Sequence, residues 1–259
     1  MLIQSRSLIL GAFMLLRALL KRAIRQTPFR IIRRGLGNRF QAIDDLLTNL
    51  YKRGYSPTYV IDGGANVGDF SKFARQIWPT AYVHMIEPQQ SCQAALEVLC
   101  REHGFRMHMV ALSDETGTIA MAADPETTST GAHIYDQRAD ANSPILEVPM
   151  VRLDDLLRAE LTLPGPVFLK LDLQGYELHA LRGATQLLQM IDVALLEVSF
   201  YAQAYEPPVS VLVRFMDEHG FELHDIGAVA GRMRDNRARQ ADFLFVKRAT
   251  MLTQDNAWD

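Results

Sequence analysis

Five carboxylates, Asp62, Glu87, Asp114, Asp172 and Glu197, end or closely follow five short apolar runs. Runs rich in Val, Ile and Leu between turn residues read as strands. One acid at a strand end is usually just solvated. Five of them describe an edge that can bind hydroxyl and ammonium groups and can accept a proton. In Lys170-Leu171-Asp172-Leu173-Gln174-Gly175-Tyr176-Glu177, Lys170 and Asp172 alternate with leucines, so both project to one face of their strand. A lysine inside an apolar strand is costly unless it is paired. Asp172 is the first candidate for a general base. Lys170 would fix its orientation or bind an anionic group on an acceptor. Glu177 and Glu197 are candidates for acceptor contact, and His133, in a polar stretch, could act from a lid.

The run Asp62-Gly63-Gly64-Ala65-Asn66-Val67-Gly68 follows Tyr59-Val60-Ile61 and precedes a helical segment. Glycines let the backbone turn tightly and let a ligand approach it. The following helix aims unpaired N–H groups at the turn. A dinucleotide fingerprint reads G-x-G-x-x-G. Here Ala65 replaces the middle glycine, and Asp62 at the lip repels a pyrophosphate. S-adenosylmethionine, with an ammonium group, a sulfonium and no phosphate, suits the loop better. Glu87 stands 25 positions after Asp62, the spacing of an acid that bridges ribose hydroxyls. Asp114, after Ser113, could accept a hydrogen bond from an adenine amino group, or could be a turn residue before Gly117.

These groups need strands to carry them. Apolar runs predict strands at 59–62, 82–87, 106–112, 167–172, 193–198, 221–226 and 242–246. Stripes at helical spacing predict helices at 41–53, 70–76, 91–103, 153–160, 178–188 and 209–219. The alternation implies an α/β fold with a parallel sheet and right-handed crossovers, and ligands bound beyond the C-terminal strand ends. Short strand-like runs at 118–122 and 147–151 flank a polar stretch, 124–143, that reads as a long surface loop. Residues 227–240 read as an exposed basic connection.

The glycine loop, Glu87-Pro88, Ala111-Leu112-Ser113-Asp114, Val151-Arg152-Leu153-Asp154-Asp155-Leu156, the run from Lys170 to Glu177 and Leu181-Arg182-Gly183-Ala184 together resemble the FkbM family of S-adenosylmethionine-dependent methyltransferases. These typically O-methylate hydroxyls of sugars or secondary metabolites. The likeness runs from about Val60 to Val246. It implies a class I methyltransferase (Rossmann-like) fold, a seven-stranded sheet with helices on both faces whose last strand is antiparallel. It also implies that Asp62, Gly63, Gly64, Ala65, Asn66 and Gly68 surround the methionine part of the cofactor, with Glu87 on the ribose and Ser113-Asp114 near adenine. Residues 41–250 would form the methyltransferase domain, between an extension at 1–40 and a tail at 251–259.

Charge is uneven along the chain. Nine of the 27 Lys and Arg lie in residues 1–40, with no Asp or Glu, leaving 18 basic against 30 acidic residues beyond. Such an acidic body is a poor partner for nucleic acid. Ile9, Phe13, Leu16, Leu20 and Ala23 share one helical face, opposite Arg6, Arg17, Lys21 and Arg25. This basic amphipathic helix could lie on an anionic membrane surface through residues 1–34, pack on protein, or be a processed signal. Cys92 and Cys100 form no metal pair and no redox motif, and the cytoplasm is the default compartment. No dedicated metal-ligand spacing is present, and no metal is expected. The acceptor expected is a small molecule, a glycan or a lipid-linked glycan. The rival readings are a nicotinamide-dependent oxidoreductase and a cofactor-binding or membrane-associated assembly protein without catalysis.

Overall fold

Tyr59–Gly63 (β1) is buried along its whole length, Asp62 included, and a run of that kind is stable only in the middle of a sheet covered on both faces. The computed structural model describes residues 39–124, 126–135, 143–202, 206–232, 235–248 and 250–254. The chain divides after Gly37, so every described residue belongs to its second unit. The expected N-terminal amphipathic helix lies outside the described residues. Among them, no helix is long and apolar enough to cross a membrane.

In chain order the elements are α1 (Arg39–Lys52), β1, α2 (Asp69–Ile77), β2 (Tyr82–Ile86), α3 (Gln93–His103), β3 (Arg106–His108), β4 (Ala111–Ser113), β5 (Gly117–Ala122), β6 (His133–Ile134), β7 (Ile145–Arg152), α4 (Leu153–Leu157), β8 (Val167–Leu171), α5 (Glu177–Arg182), β9 (Ile191–Ser199), α6 (Val209–Glu218), β10 (Phe221–Gly231) and β11 (Ala238–Lys247). Seven strands make the main sheet in the order β10-β11-β9-β8-β1-β2-β3. β9, β8, β1, β2 and β3 are mutually parallel. β11 runs antiparallel to both its neighbours. This is the expected class I arrangement with its antiparallel last strand.

Alternation along the strands builds two cores. Ile61, Leu169 and Leu171 face one side, where Leu153, Leu157, Leu181, Leu212 and Met216 of α4, α5 and α6 cover them. Val60 and Phe168 face the other, under Leu47 of α1, Phe70 and Ala74 of α2 and Leu96 of α3. Each fully buried Leu or Phe contributes roughly 1.5–3 kcal/mol, which holds the two central strands in register at their C-terminal ends.

Three expectations need correction. The strand expected at 106–112 is two strands. β2 ends at Ile86, paired with His108, so β3 has no partner beyond that point, and the chain turns away as β4 to pair with β7. The polar stretch is not simply a loop, because β4, β7, β5 and β6 form a second sheet with its own core of Ala111, Met121, Ala123 and Val148. The connection after residue 226 is mostly strand, since β10 continues to Gly231 and pairs with β11 back to Ala238.

Candidate active site

The glycine turn hangs between β2 and β8. The amides of Gly64 and Ala65 both donate to the Ile86 carbonyl (2.9 and 3.1 Å), and Gly63 accepts from the Asp172 amide (3.1 Å). Gly64 has φ of +73°, and a Cβ there would lie 1.9 Å from the Asp172 carbonyl oxygen. Only glycine closes this turn against β8. Gly68 caps α2 at φ +78°, where a Cβ would collide with Leu99 at 2.3 Å.

Beside the turn opens a cavity of about 630 Å³. Ile86, Val110, Leu112, Met121 and Ile134 supply apolar wall, Glu87 and Asp172 supply carboxylates, and among the described residues no Lys or Arg lines it. Glu87 is buried and accepts from the amides of Asn66 (2.8 Å) and Gln89 (2.9 Å) and from Gln89 Nε2 (3.1 Å). Burial pushes its carboxyl above the ordinary value despite those bonds and the nearby Lys170. A carboxylate has about four lone-pair sites, so Glu87 keeps capacity toward the cavity. Ser129, in the polar stretch, folds over the mouth. Asn66 Nδ2 and Gln89 Nε2 both donate to the Ser129 carbonyl (3.2 and 3.0 Å), and the Ser129 amide returns a bond to Gln89 Oε1 (3.1 Å). His133, on β6, lines the cavity and donates from Nδ1 to the Gly131 carbonyl (2.8 Å).

Not every expected site residue reaches this cavity. Asp62 is fully buried and faces an ammonium group within the protein, that of Lys170, with Nζ 3.0 Å from Oδ1. Ser71 donates to the other oxygen (2.7 Å). Lys170 also bonds the carbonyls of Gly63 (3.2 Å) and Gly64 (2.8 Å), so its ammonium staples β8 to the glycine turn. Burial alone would lower Lys170; Asp62 and Asp172 outweigh it and hold the lysine above its ordinary value. Neither an orienting contact from Lys170 to Asp172 nor access to an anionic acceptor survives this geometry, because the amine is sealed on Asp62. The register explains it, since Asp62 and Lys170 are direct partners in the parallel β1–β8 pair.

Ser113 and Asp114 stand beyond the wall, which ends at Leu112. Asp114 pairs with His179 of α5 (3.1 Å) and is lowered in pKa: burial opposes the shift, and the bonds from His179, its own amide and Ser113 carry it. A Cβ on Gly183 would lie 1.9 Å from the Ser113 carbonyl oxygen, so that glycine lets α5 close on β4. Glu177 turns back into its own loop and accepts from the amides of Leu173 (2.7 Å) and Gly175 (3.3 Å). Burial raises its pKa to about 7, and it shapes the turn below the site.

Asp172 does face the cavity, and it belongs to a cluster the sequence did not announce. Arg39 Nη2 lies 3.0 Å from Asp172, 2.9 Å from Glu197 and 2.6 Å from Asp242. Gln174 Nε2 donates to Asp172 (2.8 Å) and Glu197 (3.0 Å). Gln240 Nε2 donates to the second oxygen of Glu197 (2.6 Å). Two carboxylates this close do not both ionise easily. Burial, aided by the charge of Asp172, pushes Glu197 up to about 9. Burial also opposes ionisation of Asp172, but Lys170 and Arg39 prevail and hold it below the usual carboxylate range. At neutral pH the pair therefore keeps one proton, on the Glu197 side. Arg39 is hidden in the sequence because it sits in the basic run of the first 40 residues, and Asp242 because it only opens an apolar strand. Gln174 carries a weak signal, as a non-glycine residue before Gly175 that takes φ of +54°.

A model of the FkbM methyltransferase domain matches residues 62–223, more than half of the chain. Among curated proteins, Methyltransferase 1 of Beauveria bassiana strain ARSEF 2860 is 23% identical over 144 residues, 49% of this chain. The match spans only 58% of the length of that relative. Among solved structures, magnesium protoporphyrin IX methyltransferase from Synechocystis PCC 6803 is 16% identical with a TM-score of 0.46, over 89% of this chain and 96% of that one. Precorrin-6y C5,15-methyltransferase from Geobacter metallireducens GS-15 is 11% identical with a TM-score of 0.42, over 85% and 95%.

Proposed function

The chain belongs to the FkbM methyltransferase family, and on that premise we propose that it transfers a methyl group from S-adenosylmethionine to a hydroxyl oxygen of a sugar, a glycan or a secondary metabolite. The observation that carries this reading is the cavity whose described lining holds the carboxylates Glu87 and Asp172 and, among the described residues, no Lys or Arg. Among the described lining residues a phosphate-bearing dinucleotide finds no counter-charge. A cationic nucleoside finds Glu87 for ribose hydroxyls, apolar surface at Ile86, Val110 and Leu112 for a base, and Asp172 at the far end. When bound, the cofactor supplies both the electrophilic methyl and the leaving group.

The chain's own residues then position the acceptor and take up its proton. Gln174 lines this cavity and also a small polar recess whose described wall includes Glu197, Ser199, Glu206 and Gln240. Its hydroxyl, amide and carboxyl groups are of the kind that would bond single hydroxyls of an acceptor reaching its rim. Asp172, held ionised by Arg39 and Lys170, accepts the proton of the reacting hydroxyl. Its low pKa is no obstacle. As the C–O bond forms, the hydroxyl becomes a protonated ether, a far stronger acid than any carboxylic acid. His133 closes the mouth from above. The test is transfer of labelled methyl to host extracts split into soluble and lipid fractions, with mass spectrometry of the product. A methyl found on oxygen of a hydroxylated acceptor supports the reading; label recovered only on nitrogen, carbon or sulfur overturns it.

A further inference from the structure

One group of metal-binding side chains takes no part in either cavity. His84 lies on β2, His108 on the edge strand β3, and Glu160 in the turn that follows α4. His84 Nδ1 is 3.1 Å from His108 Nε2 and 3.8 Å from Glu160 Oε2. All three donor atoms lie within 4.8 Å of one another. His84 is buried, and the other two are half-buried. At 3.1 Å one ring donates its N–H to the facing nitrogen of the other, so a single proton lies between them.

We propose that His84, His108 and Glu160 form a binding site for a divalent first-row cation of the zinc type, with its fourth position open to water. Two imidazoles and a carboxylate are a donor set that zinc accepts readily. Bonds of about 2.0–2.2 Å to a tetrahedral ion leave neighbouring donors roughly 3.3–3.6 Å apart. The two observed separations fall just to either side of that range, so modest ring and side-chain rotations complete the shell. Entry of the ion shifts the proton between His84 and His108 to the far nitrogen of the ring that carries it, so that both facing nitrogens offer lone pairs. It also loosens Arg106, whose Nη1 holds Glu160 Oε2 at 2.8 Å. The Arg106 side chain is 66% exposed and can turn to solvent.

The consequence is mechanical. β3 is only three residues long and lies at the sheet edge. The Glu87 amide donates to the His108 carbonyl (3.0 Å). An ion clipping β2, β3 and the turn after α4 would fasten the strand that backs Glu87. It stands apart from the reacting groups, none of whose side chains it touches.

The experiment uses the full chain, treated with chelator and dialysed, then titrated with Co²⁺ as a spectroscopic probe and Zn²⁺ as competitor. The expected result is one equivalent of Co²⁺ with the intense visible bands of a four-coordinate site, displacement by Zn²⁺, and a higher thermal midpoint with Zn²⁺ present. His108→Gln and Glu160→Gln, both at partly exposed positions, should each weaken Co²⁺ at least tenfold, with folding checked by circular dichroism. Two results would overturn the site: a parent chain with no such bands, or bands and affinity unchanged in both folded variants.

Discussion

Asp62 and Asp172 end neighbouring strands, and both sit near the same lysine, yet they have become different objects. Asp62 is sealed. Its partners are Lys170 and Ser71, and no solvent reaches it. Asp172 keeps 21% of its side chain exposed, faces the cavity and shares Arg39 and Gln174 with a protonated neighbour. The difference lies in one step of strand register. Asp62 is directly opposite Lys170 in the ladder, whereas Asp172 falls just past the end of β8, where pairing stops and the side chain faces the cavity. Position at a strand end marks an acid as a candidate; the partner across the ladder decides whether it is structural or chemical.

The strongest way to break the comparison is to remove the lysine. Lys170→Met keeps the volume but leaves Asp62 as a buried charge without its counter-ion. Removal of one partner from a buried pair costs about 3–5 kcal/mol, and denaturant unfolding should show a loss of that order. The double variant Lys170→Met with Asp62→Asn should regain most of it. A single variant as stable as the parent would mean that Asp62 is not the sealed partner described. The next effect is on rate. Asp172→Asn keeps the shape and removes the proton acceptor, so turnover per folded molecule, with folding checked by circular dichroism, should fall about a hundredfold or more, within the range of a lost general base. An unchanged rate takes Asp172 out of the chemistry and leaves it a binding group.

A third test uses pH. Glu197 keeps its proton in the fold up to about 9, against an ordinary value of 4.5, so the folded chain binds more protons than the unfolded chain across that window. Stability contributed by Glu197 is complete below about 4.5 and is lost as pH rises toward 9, with a slope of at most about 1.4 kcal/mol per pH unit. Asp172 has the opposite sign, and its contribution is lost only as pH falls into the acid range. Glu197→Gln, neutral at every pH, should flatten the alkaline decline. If parent and variant track each other from pH 5 to 9, the shared-proton description of the pair fails.

Much of this is legible in the residues. The strands of the main sheet, the antiparallel β11 and the cradle at Gly64 follow from apolar runs, glycine placement and family likeness. What stays hidden are contacts across long stretches of chain. Arg39 meets Asp242 about two hundred positions away, and nothing local in either residue points to the other. The second sheet is hidden because its strands are half-exposed and interrupted by polar residues, so their periodicity is faint. Lys170 plainly needs a partner, but two acids are in range, and only register chooses between them.

The smallest expected effect belongs to a second such pair of acids. Glu87 and Asp114 each follow a strand, and each is a candidate by sequence for contact with the nucleoside. Glu87 lines the cavity and is buried, whereas Asp114 stands outside it, about a third exposed, against His179. Glu87→Ala should therefore weaken cofactor binding measured by calorimetry, by roughly tenfold or more, since a hydrogen bond to a charged group is worth about 1.5–3 kcal/mol. Asp114→Asn should leave that affinity unchanged within twofold. It should cost no more than a partly exposed ion pair, about 0.2–1 kcal/mol of stability. Equal losses of affinity in the two variants would restore Asp114 to the site and require the chain after β4 to move when ligand binds. A loss at Glu87 alone would show that the wall ends at Leu112 in solution as well, and that adenine recognition rests on apolar surface instead of on a second carboxylate.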